Sequence, residues 1–502
     1  MKLETVSLRN LDHDLDRRLR ALDDRLECVD RSREHVERAI ARGEPVYGIN
    51  TGFGALASKR IDATRLAELQ RNLLLSHACG CGEALSPEIT RLMLRLKIHA
   101  LAQGYSGISR PVLQKLLEFD RKGLLPWVPS RGSVGASGDL APLAHLALPL
   151  IGAGQCWNED RDGPEPTRVT LQRLGIDPVD LAPKDGLALI NGTQLMGAIG
   201  AWVLSRAAGV LKAADLLGAM SLEALQGSAR PFDERIHQLR PHPGQGLVAA
   251  NVRKLLEGSQ ILESHRHCGK VQDPYSLRCI PQVHGASRDA LDYASDVVER
   301  EINSVTDNPL VFDDGSIISG GNFHGQPLAL ALDHAAIALA ELANISERRT
   351  YLLLAGHDGL PTLLMSDTGI NSGFMIPQYT AAALVSENKV LAHPASVDSI
   401  PTSLGQEDHV SMGSVGALKL LQVLSNVETV LAVELLTAAQ ALDFRQPLLP
   451  GRGVHLAHRT VRAQVPHAEH DYEVGADIER CAEMIRDGSL VSAVEAEIGA
   501  LN

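Results

Sequence analysis

A glycine-rich segment, Gly132–Leu140, contains a tripeptide that could build an electrophile from the chain itself. In Ala136-Ser137-Gly138 the amide nitrogen of Gly138 can attack the carbonyl carbon of Ala136, because both residues are small enough to permit the approach. Loss of water from the ring and from the Ser137 side chain would leave an exocyclic methylene. The alternative is a glycine-rich turn ahead of a helix that starts near Asp139.

Other common catalytic and cofactor motifs are missing from the sequence. It has no G-x-x-x-x-G-K-[ST] phosphate loop, no strand-placed G-x-G-x-x-G, no H-E-x-x-H and no C-x-x-C pair. His265, His267 and Cys268 lie close together and could hold a metal. One such cluster without a matching partner elsewhere favours a polar surface segment, so we expect no metal site.

The segment around Ala136-Ser137-Gly138 resembles the prosthetic-group motif of the aromatic amino acid ammonia-lyases. The resemblance is greatest to the members that act on histidine. Further matches follow in the family's order over roughly residues 45–415: Tyr47–Gly54, Asn72–His77, Gly186–Gln194, Val271–Cys279, Gly320–His324 and Gln406–Met412. The resemblance implies elimination of ammonia from L-histidine to give urocanate. It also implies a methylidene-imidazolone group formed autocatalytically from Ala136, Ser137 and Gly138, without an external cofactor.

The resemblance implies catalytic roles for three further residues. Tyr47 matches the proposed base for the β-proton; because an ordinary tyrosine pKa of about 10 is too high for this task, its surroundings would have to lower that pKa. Tyr275 matches a second catalytic tyrosine. Asn191 matches the residue that hydrogen-bonds and polarises the imidazolone, with capping of a helix or turn before Gly192 as the alternative. The helix after Asp139 would direct its positive N-terminus at the group.

Three residues match the part of the family's site that holds the substrate. Arg278 would bind the substrate carboxylate by paired hydrogen bonds, and Gln272 would support that end. Phe323 would line the pocket. A solvated surface charge is the alternative for Arg278, and ordinary core packing is the alternative for Phe323. Asp139 would hold the loop.

Specificity is expected to depend on two further positions. Ser76-His77 occupies the pair that reads Phe-Leu in phenylalanine lyases and His-Leu in many tyrosine lyases, so His77 could serve an imidazole or a phenol. Glu407 matches the Gln-Glu-Asp-His pattern of the members that act on histidine. A carboxylate can pair with an imidazole N–H, whereas burying it beside a phenyl ring would be costly. His284 departs from the family, where we expect an apolar residue.

The elements that must position these residues are mainly helices. Capping signals predict one helix between Ser86 and Gly104 and another between Ser109 and Gly123. Long apolar segments over 193–224 and 414–442 predict buried helices of a long-helix bundle, and an Asp-Gly turn predicts a short hairpin over 311–318. Residues 158–166 are expected to form a surface loop. We divide the chain into a part that bears the prosthetic group, 1–192, and a helical bundle, 193–502.

Composition limits the classes of partner. The 502 residues include 48 Lys+Arg and 61 Asp+Glu, and this net charge of −13 argues against a nucleic-acid partner. The seven Cys are scattered, which favours a reducing compartment. No secretory signal is visible and we expect no apolar run to reach the ~20 residues of a membrane span, so we expect a cytoplasmic protein. Buried helices and the family resemblance imply a homotetramer with active sites shared between chains.

Three rival functions are weighed against this interpretation. Another aromatic amino acid lyase or aminomutase would use the same group, and Glu407 discriminates against it. The fumarase–aspartase type of lyase carries a G-S-S-x-M-P-x-K-x-N loop, which is absent here. A scaffold protein would have no need of the full set of matched residues.

Overall fold

The computed structural model describes residues 5–22, 26–43, 45–52, 54–56 and 59–502. Helices dominate this part of the chain, which confirms the mainly α class. The α-helices are α1 (Leu11–Arg20), α2 (Glu27–Arg42), α3 (Leu66–His77), α4 (Pro87–Leu101), α5 (Arg110–Lys122), α6 (Leu140–Ala147), α7 (Thr167–Leu174), α8 (Asp185–Ile190), α9 (Gln194–Ala224), α10 (Glu234–Gln238), α11 (Pro243–Leu255), α12 (Gln260–Ser264), α13 (Tyr275–Arg278), α14 (Ile280–Ile302), α15 (Gln326–Leu354), α16 (Met375–Leu391), α17 (Gly413–Asp443), α18 (Arg452–Arg462), α19 (Gly475–Arg486) and α20 (Ser489–Ile498).

Within the described residues, the strands form three antiparallel pairs. They are β1 (Cys81–Ala84) with β2 (Pro129–Arg131), β3 (Gln155–Trp157) with β4 (Pro164–Pro166), and β5 (Leu310–Val311) with β6 (Ile317–Ile318). The last pair confirms the predicted hairpin. The loop expected over 158–166 is wrong in its last three residues, because β4 pairs with β3. The prolines at 164 and 166 sit at the ends of this short strand, where a missing N–H is tolerated.

Capping residues explain where α4 begins and where α5 ends. The Ser86 hydroxyl accepts a hydrogen bond from the amide of Ile89, and Pro87 occupies the first turn, where its missing N–H costs nothing. Helix α5 ends at Gly123, whose φ of 69° is the left-handed conformation that glycine adopts without strain. Both helices therefore begin and end close to where the capping residues predict.

Three long helices, α9, α15 and α17, carry the most apolar sequence of the described chain. Each is long and apolar enough to cross a membrane by length and composition alone, so the expectation that no apolar run reaches this length is wrong. Between 72% and 78% of their most apolar windows is buried inside the protein. Helices that are apolar on most sides are typical of a packed bundle.

The chain divides into two compact units by the density of its internal contacts. The first unit comprises Met1–Trp202, Ser295–Asp333 and Pro394–Leu418; the second comprises Val203–Ala294, His334–His393 and Lys419–Asn502. These bounds follow packing, whereas the division at 192/193 follows the sequence motifs. That division stays a prediction about which part of the chain bears the reactive group.

A buried charged cluster in the second unit explains the unexpected His284. Its ring is fully buried, with Nδ1 2.8 Å from the Asp215 carboxylate and Nε2 3.3 Å from Nη1 of Arg349. Arg349 in turn pairs with Glu434 at 2.5 Å. Burial lowers the pKa of His284, so the ring is neutral and can accept from Arg349. The residue holds part of the core together.

Candidate active site

The Ala136-Ser137-Gly138 segment forms a tight turn in the first unit. Gly135 and Gly138 have φ of 64° and 74°, and Gly138 pairs with Gly192 through a backbone bridge. The amide of Asp139 donates a 2.7 Å hydrogen bond to the carbonyl oxygen of Gly192. A Cβ on residue 138 would lie 2.0 Å from that oxygen, so only glycine fits. The turn thus carries a glycine where cyclisation would need an unhindered nitrogen.

Asp139 is a structural anchor for this turn. Its side chain does not cap α6, the helix that follows it. Instead Oδ2 accepts hydrogen bonds of 3.0 and 3.1 Å from the amides of Leu195 and Met196 in the first turn of α9. Oδ1 accepts from Ser414 at 2.8 Å. Burial raises the pKa of Asp139 to about 6, opposed by these hydrogen bonds. The turn, α9 and the start of α17 are joined through one carboxylate.

Asn191 contacts the reactive tripeptide directly. Its Nδ2 donates a 2.9 Å hydrogen bond to the carbonyl oxygen of Ser137. The side-chain Oδ1 is buried and has no hydrogen-bond partner among the described residues. The Asn191 amide group that donates to the Ser137 carbonyl oxygen would polarise a ring built from residues 136–138, as the resemblance implies. The residues present therefore fit a methylidene-imidazolone.

Glu407 lies on the other side of Ser137. The Ser137 hydroxyl donates a 3.1 Å hydrogen bond to Glu407 Oε1, and the Thr402 hydroxyl donates a 2.6 Å hydrogen bond to Oε2. Backbone hydrogen bonds between Thr402 and Glu407 close the loop that carries both residues. The loop thereby fixes one carboxylate oxygen and aims the other at the reactive serine.

A cavity of about 810 Å³ in the first unit brings most of the expected site residues together. Seven of them line it: Tyr47, His77, Ala136, Ser137, Asn191, Phe323 and Glu407. Asn72, His324 and His409 also line this cavity. These three residues lie within the matched segments Asn72–His77, Gly320–His324 and Gln406–Met412, for which no role was predicted at these positions. Their polar character within matched motifs was the available signal.

Tyr47 and His77 are both half-buried beside Glu407. Burial raises the pKa of Tyr47, the hydrogen bond that its hydroxyl accepts from the amide of Gly54 lowers it, and the charge of Glu407 raises it further. The requirement that the surroundings lower this pKa is therefore not met within one chain. Burial lowers the pKa of His77, so that its ring is neutral at pH 7.

Gln272, Tyr275 and Arg278 belong to the second unit and do not line this cavity. Tyr275 is 70% exposed. The guanidinium carbon of Arg278 lies 4.4 Å from the centre of the Tyr275 ring. Arg278 Nε is buried without a hydrogen-bond partner in the described structure. Gln272 lines a separate cavity of about 350 Å³ with Lys270. The first unit of one chain thus lacks the expected carboxylate-binding arginine.

His265, one of the three residues that could hold a metal, has a structural role. Both ring nitrogens of His265 face backbone carbonyl oxygens, those of Ile261 at 2.6 Å and Gly227 at 3.0 Å. Across the described ranges, no group of three or more His, Cys, Asp or Glu side chains is arranged to hold a metal ion.

Comparisons with known proteins agree with this geometry. The family model "Aromatic amino acid lyase" matches residues 6–463. The chain is 55% identical over 482 residues to a histidine ammonia-lyase of Sorangium cellulosum, covering 94% of this chain and 93% of that protein, and 55% identical to one of Gloeobacter violaceus, covering 95% and 93%.

Solved structures give the same relationship. A histidine ammonia-lyase from Trypanosoma cruzi is 42% identical with a TM-score of 0.87, covering 94% of this chain and 90% of that one. A tyrosine aminomutase from Streptomyces globisporus is 36% identical with a TM-score of 0.90, covering 99% and 98%. A family match over nine-tenths of its length places the chain in the aromatic amino acid lyase family.

Proposed function

We propose that the protein is an L-histidine ammonia-lyase, which eliminates ammonia from L-histidine to give urocanate. The observation that carries the proposal is the hydrogen bond between Ser137 and Glu407 at 3.1 Å inside the cavity. It puts a carboxylate, which can accept from an imidazole N–H, beside the residue that supplies the electrophile. The names of the relatives that are 55% identical support the same substrate.

The residues around the tripeptide then have defined tasks. The methylidene-imidazolone from Ala136, Ser137 and Gly138 supplies the electrophile that makes the amine a better leaving group. Asn191 holds the carbonyl oxygen of residue 137 through Nδ2 and so withdraws electron density from this position. Tyr47 takes the β-proton of the substrate, a role that requires the assembled site to lower its raised pKa.

A second set of residues recognises the substrate. Glu407 and His77 contact the imidazole, and Phe323 packs against the substrate. The neutral His77 ring can donate or accept a hydrogen bond, so it orients the substrate without adding charge. Burial of the ring among these residues excludes water and strengthens the Glu407 contact.

The remaining residues come from another copy of the chain in this proposal. Arg278 binds the substrate carboxylate with support from Gln272, and Tyr275 serves as the second catalytic tyrosine. All three lie outside the cavity of the first unit, and the Tyr275 ring is largely exposed. A homotetramer with shared sites satisfies both observations. A cytoplasmic location fits a small polar substrate and the free cysteines.

A tyrosine-specific lyase or aminomutase is the second candidate. It is favoured by the similarity to the Streptomyces globisporus aminomutase and by a His77 that could also bind a phenol. The decisive test is an assay of the purified protein with histidine, tyrosine and phenylalanine, following ammonia and the unsaturated acid. Faster turnover of tyrosine than of histidine would overturn the histidine proposal and leave the family membership intact.

The electrophile has its own test, which does not depend on the substrate. Cyclisation and dehydration remove two waters, so intact mass should show a deficit of about 36 Da in the active protein. Ser137→Ala should abolish the full deficit and the activity, while the melting temperature stays close to that of the wild type, because one hydroxyl contributes little to so large a core. An active protein of unmodified mass would contradict the proposal.

A further inference from the structure

A buried lysine lies directly behind the reactive turn and has no task in the mechanism above. Lys97, on α4, is 2% exposed. Its Nζ donates a 2.7 Å hydrogen bond to the backbone carbonyl oxygen of Asn191 and lies 3.5 Å from Gln194 Oε1. Burying an ammonium group is costly unless its charge and hydrogen bonds are compensated, so this contact must hold the lysine in one place.

The carbonyl that Lys97 holds is the centre of a short, tightly fixed segment. On one side of it, the Asn191 amide donates to the Leu187 carbonyl oxygen at 2.9 Å, and the side-chain Nδ2 donates to the Ser137 carbonyl oxygen at 2.9 Å. On the other side, the Gly192 carbonyl oxygen accepts from the Asp139 amide at 2.7 Å. Rotation of the 191–192 peptide would therefore displace both contacts to the reactive turn.

The hydrogen bonds of Lys97 go to a backbone carbonyl oxygen and an amide oxygen rather than to a carboxylate. Burial lowers the pKa of Lys97 to about 7, Asp307 and Asp139 raise it, and Lys184 lowers it. Asp307 already pairs with Lys184 at 2.8 Å. Asp139 is engaged by the first turn of α9. The direct hydrogen bonds of Lys97 go to the Asn191 carbonyl and Gln194.

We infer that Lys97 is a positioning residue for the electrophile: through the carbonyl oxygen of Asn191 it keeps the Asn191 side-chain amide on the carbonyl oxygen of residue 137. The inference rests on the proposed function of the tripeptide. Loss of the ammonium would leave a buried carbonyl without its donor, and the 191–192 peptide would relax away from the turn. Both the formation of the group and its reactivity depend on this alignment.

The test compares two buried lysines of the same unit. Lys97→Met removes the contact to Asn191, Lys97→Arg keeps a charged donor, and Lys184→Met removes an equally buried charge that pairs with Asp307. For Lys97→Met we expect kcat with histidine to fall by at least about 10-fold while KM changes by less than about 3-fold, because the amide acts on the reacting centre. Intact mass should show a fraction of chains without the two-water deficit.

The controls separate positioning from general destabilisation. Lys97→Arg should restore most of the mass deficit and of kcat, and Lys184→Met should lower the melting temperature without the selective loss of kcat. If Lys97→Met is insoluble, Lys97→Gln, a neutral donor, takes its place against Lys97→Arg. The inference is overturned if mass and kcat stay at wild-type values, if arginine restores neither, or if Lys184→Met causes the same losses. A wild-type protein without the mass deficit would instead refute the proposed electrophile.

Discussion

At the scale of single residues, Glu407 is held so that only one of its oxygens is available to a ligand. Thr402 engages Oε2, while Oε1 faces Ser137 across the cavity. Histidine differs from phenylalanine and tyrosine mainly in ring nitrogens that can donate hydrogen bonds, and a carboxylate accepts them well in a site that excludes water. In this position Glu407 can contact the substrate ring and contribute directly to substrate specificity.

We expect Glu407→Gln to lower kcat/KM for histidine by at least about 10-fold, or about 1.4 kcal/mol of transition-state stabilisation, because the shape is kept and the charge is lost. Activity with phenylalanine should fall less or rise. The measurement is the ratio of specificity constants for the two substrates, together with the melting temperature.

Asp408→Asn is the matched control, since this neighbouring acid also lines the cavity. It should leave the ratio near the wild-type value. An unchanged ratio in Glu407→Gln, with both substrates depressed in proportion and a lower melting temperature, would show that Glu407 is a structural acid.

The identities of the cavity residues could be predicted from the sequence, but their electrostatics could not. Tyr47, Asn191 and Glu407 all stand in long matched segments. The raised pKa of Tyr47 arises from its burial and from a charge that lies 360 positions away in the chain. Such a shift depends on distances that only the fold supplies.

At the scale of elements, the helices are the part that sequence patterns predict best. The apolar segment over 193–224 predicts a buried helix, and α9 runs from Gln194 to Ala224. Sequence patterns do not predict the role of Asp139. It precedes α6 by one residue, yet it caps α9, whose first turn lies some 55 positions further along the chain.

A second buried carboxylate at a helix end makes stability depend on pH. Glu223, in the last turn of α9, accepts hydrogen bonds from the Gly451 amide at the start of α18 and from the Ser259 hydroxyl. Burial raises the pKa of Glu223 to about 7. The folded protein therefore holds a proton that the unfolded chain releases near pH 4.5. The contribution of Glu223 to the free energy of unfolding is greatest below that pH and declines as pH rises to about 7, by roughly 1–3 kcal/mol.

Glu223→Gln should remove this decline, because glutamine has no charge to bury. We expect the melting temperature of the variant, relative to wild type, to increase between pH 5 and pH 7 and then to level off. Glu263→Gln, at an exposed acid, should show a difference that does not vary with pH. A constant difference for Glu223→Gln would mean that its carboxyl ionises with an ordinary pKa in the folded protein.

At the scale of the whole molecule, one chain exposes groups that the proposed reaction needs buried. Tyr275 is 70% exposed, and apolar side chains such as Val271 and Leu404 are 93% and 98% exposed. Leu404 lies three residues before Glu407, and Val271 lies four residues before Tyr275. Exposed apolar residues next to site residues are typical of interfaces between subunits.

Mixing Tyr47→Phe with Arg278→Ala under subunit exchange should restore activity, because some sites then combine an intact Tyr47 with an intact Arg278. Random exchange of equal amounts gives such sites in roughly a quarter of cases. Tyr47→Phe mixed with Ser137→Ala should stay inactive, since these residues line the same cavity of one chain. Light scattering that shows a monomer, or mixed oligomers without recovery, would contradict shared sites.

The hydrogen bond from Ser137 to Glu407 affects what the chain can bind before the tripeptide is modified. In the unprocessed chain this hydroxyl takes up one acceptor position of Oε1, the oxygen that the proposal assigns to histidine. Formation of the proposed methylidene-imidazolone would discard that hydroxyl as water. We therefore expect the processed chain to offer the substrate ring one more acceptor position than the unprocessed chain does.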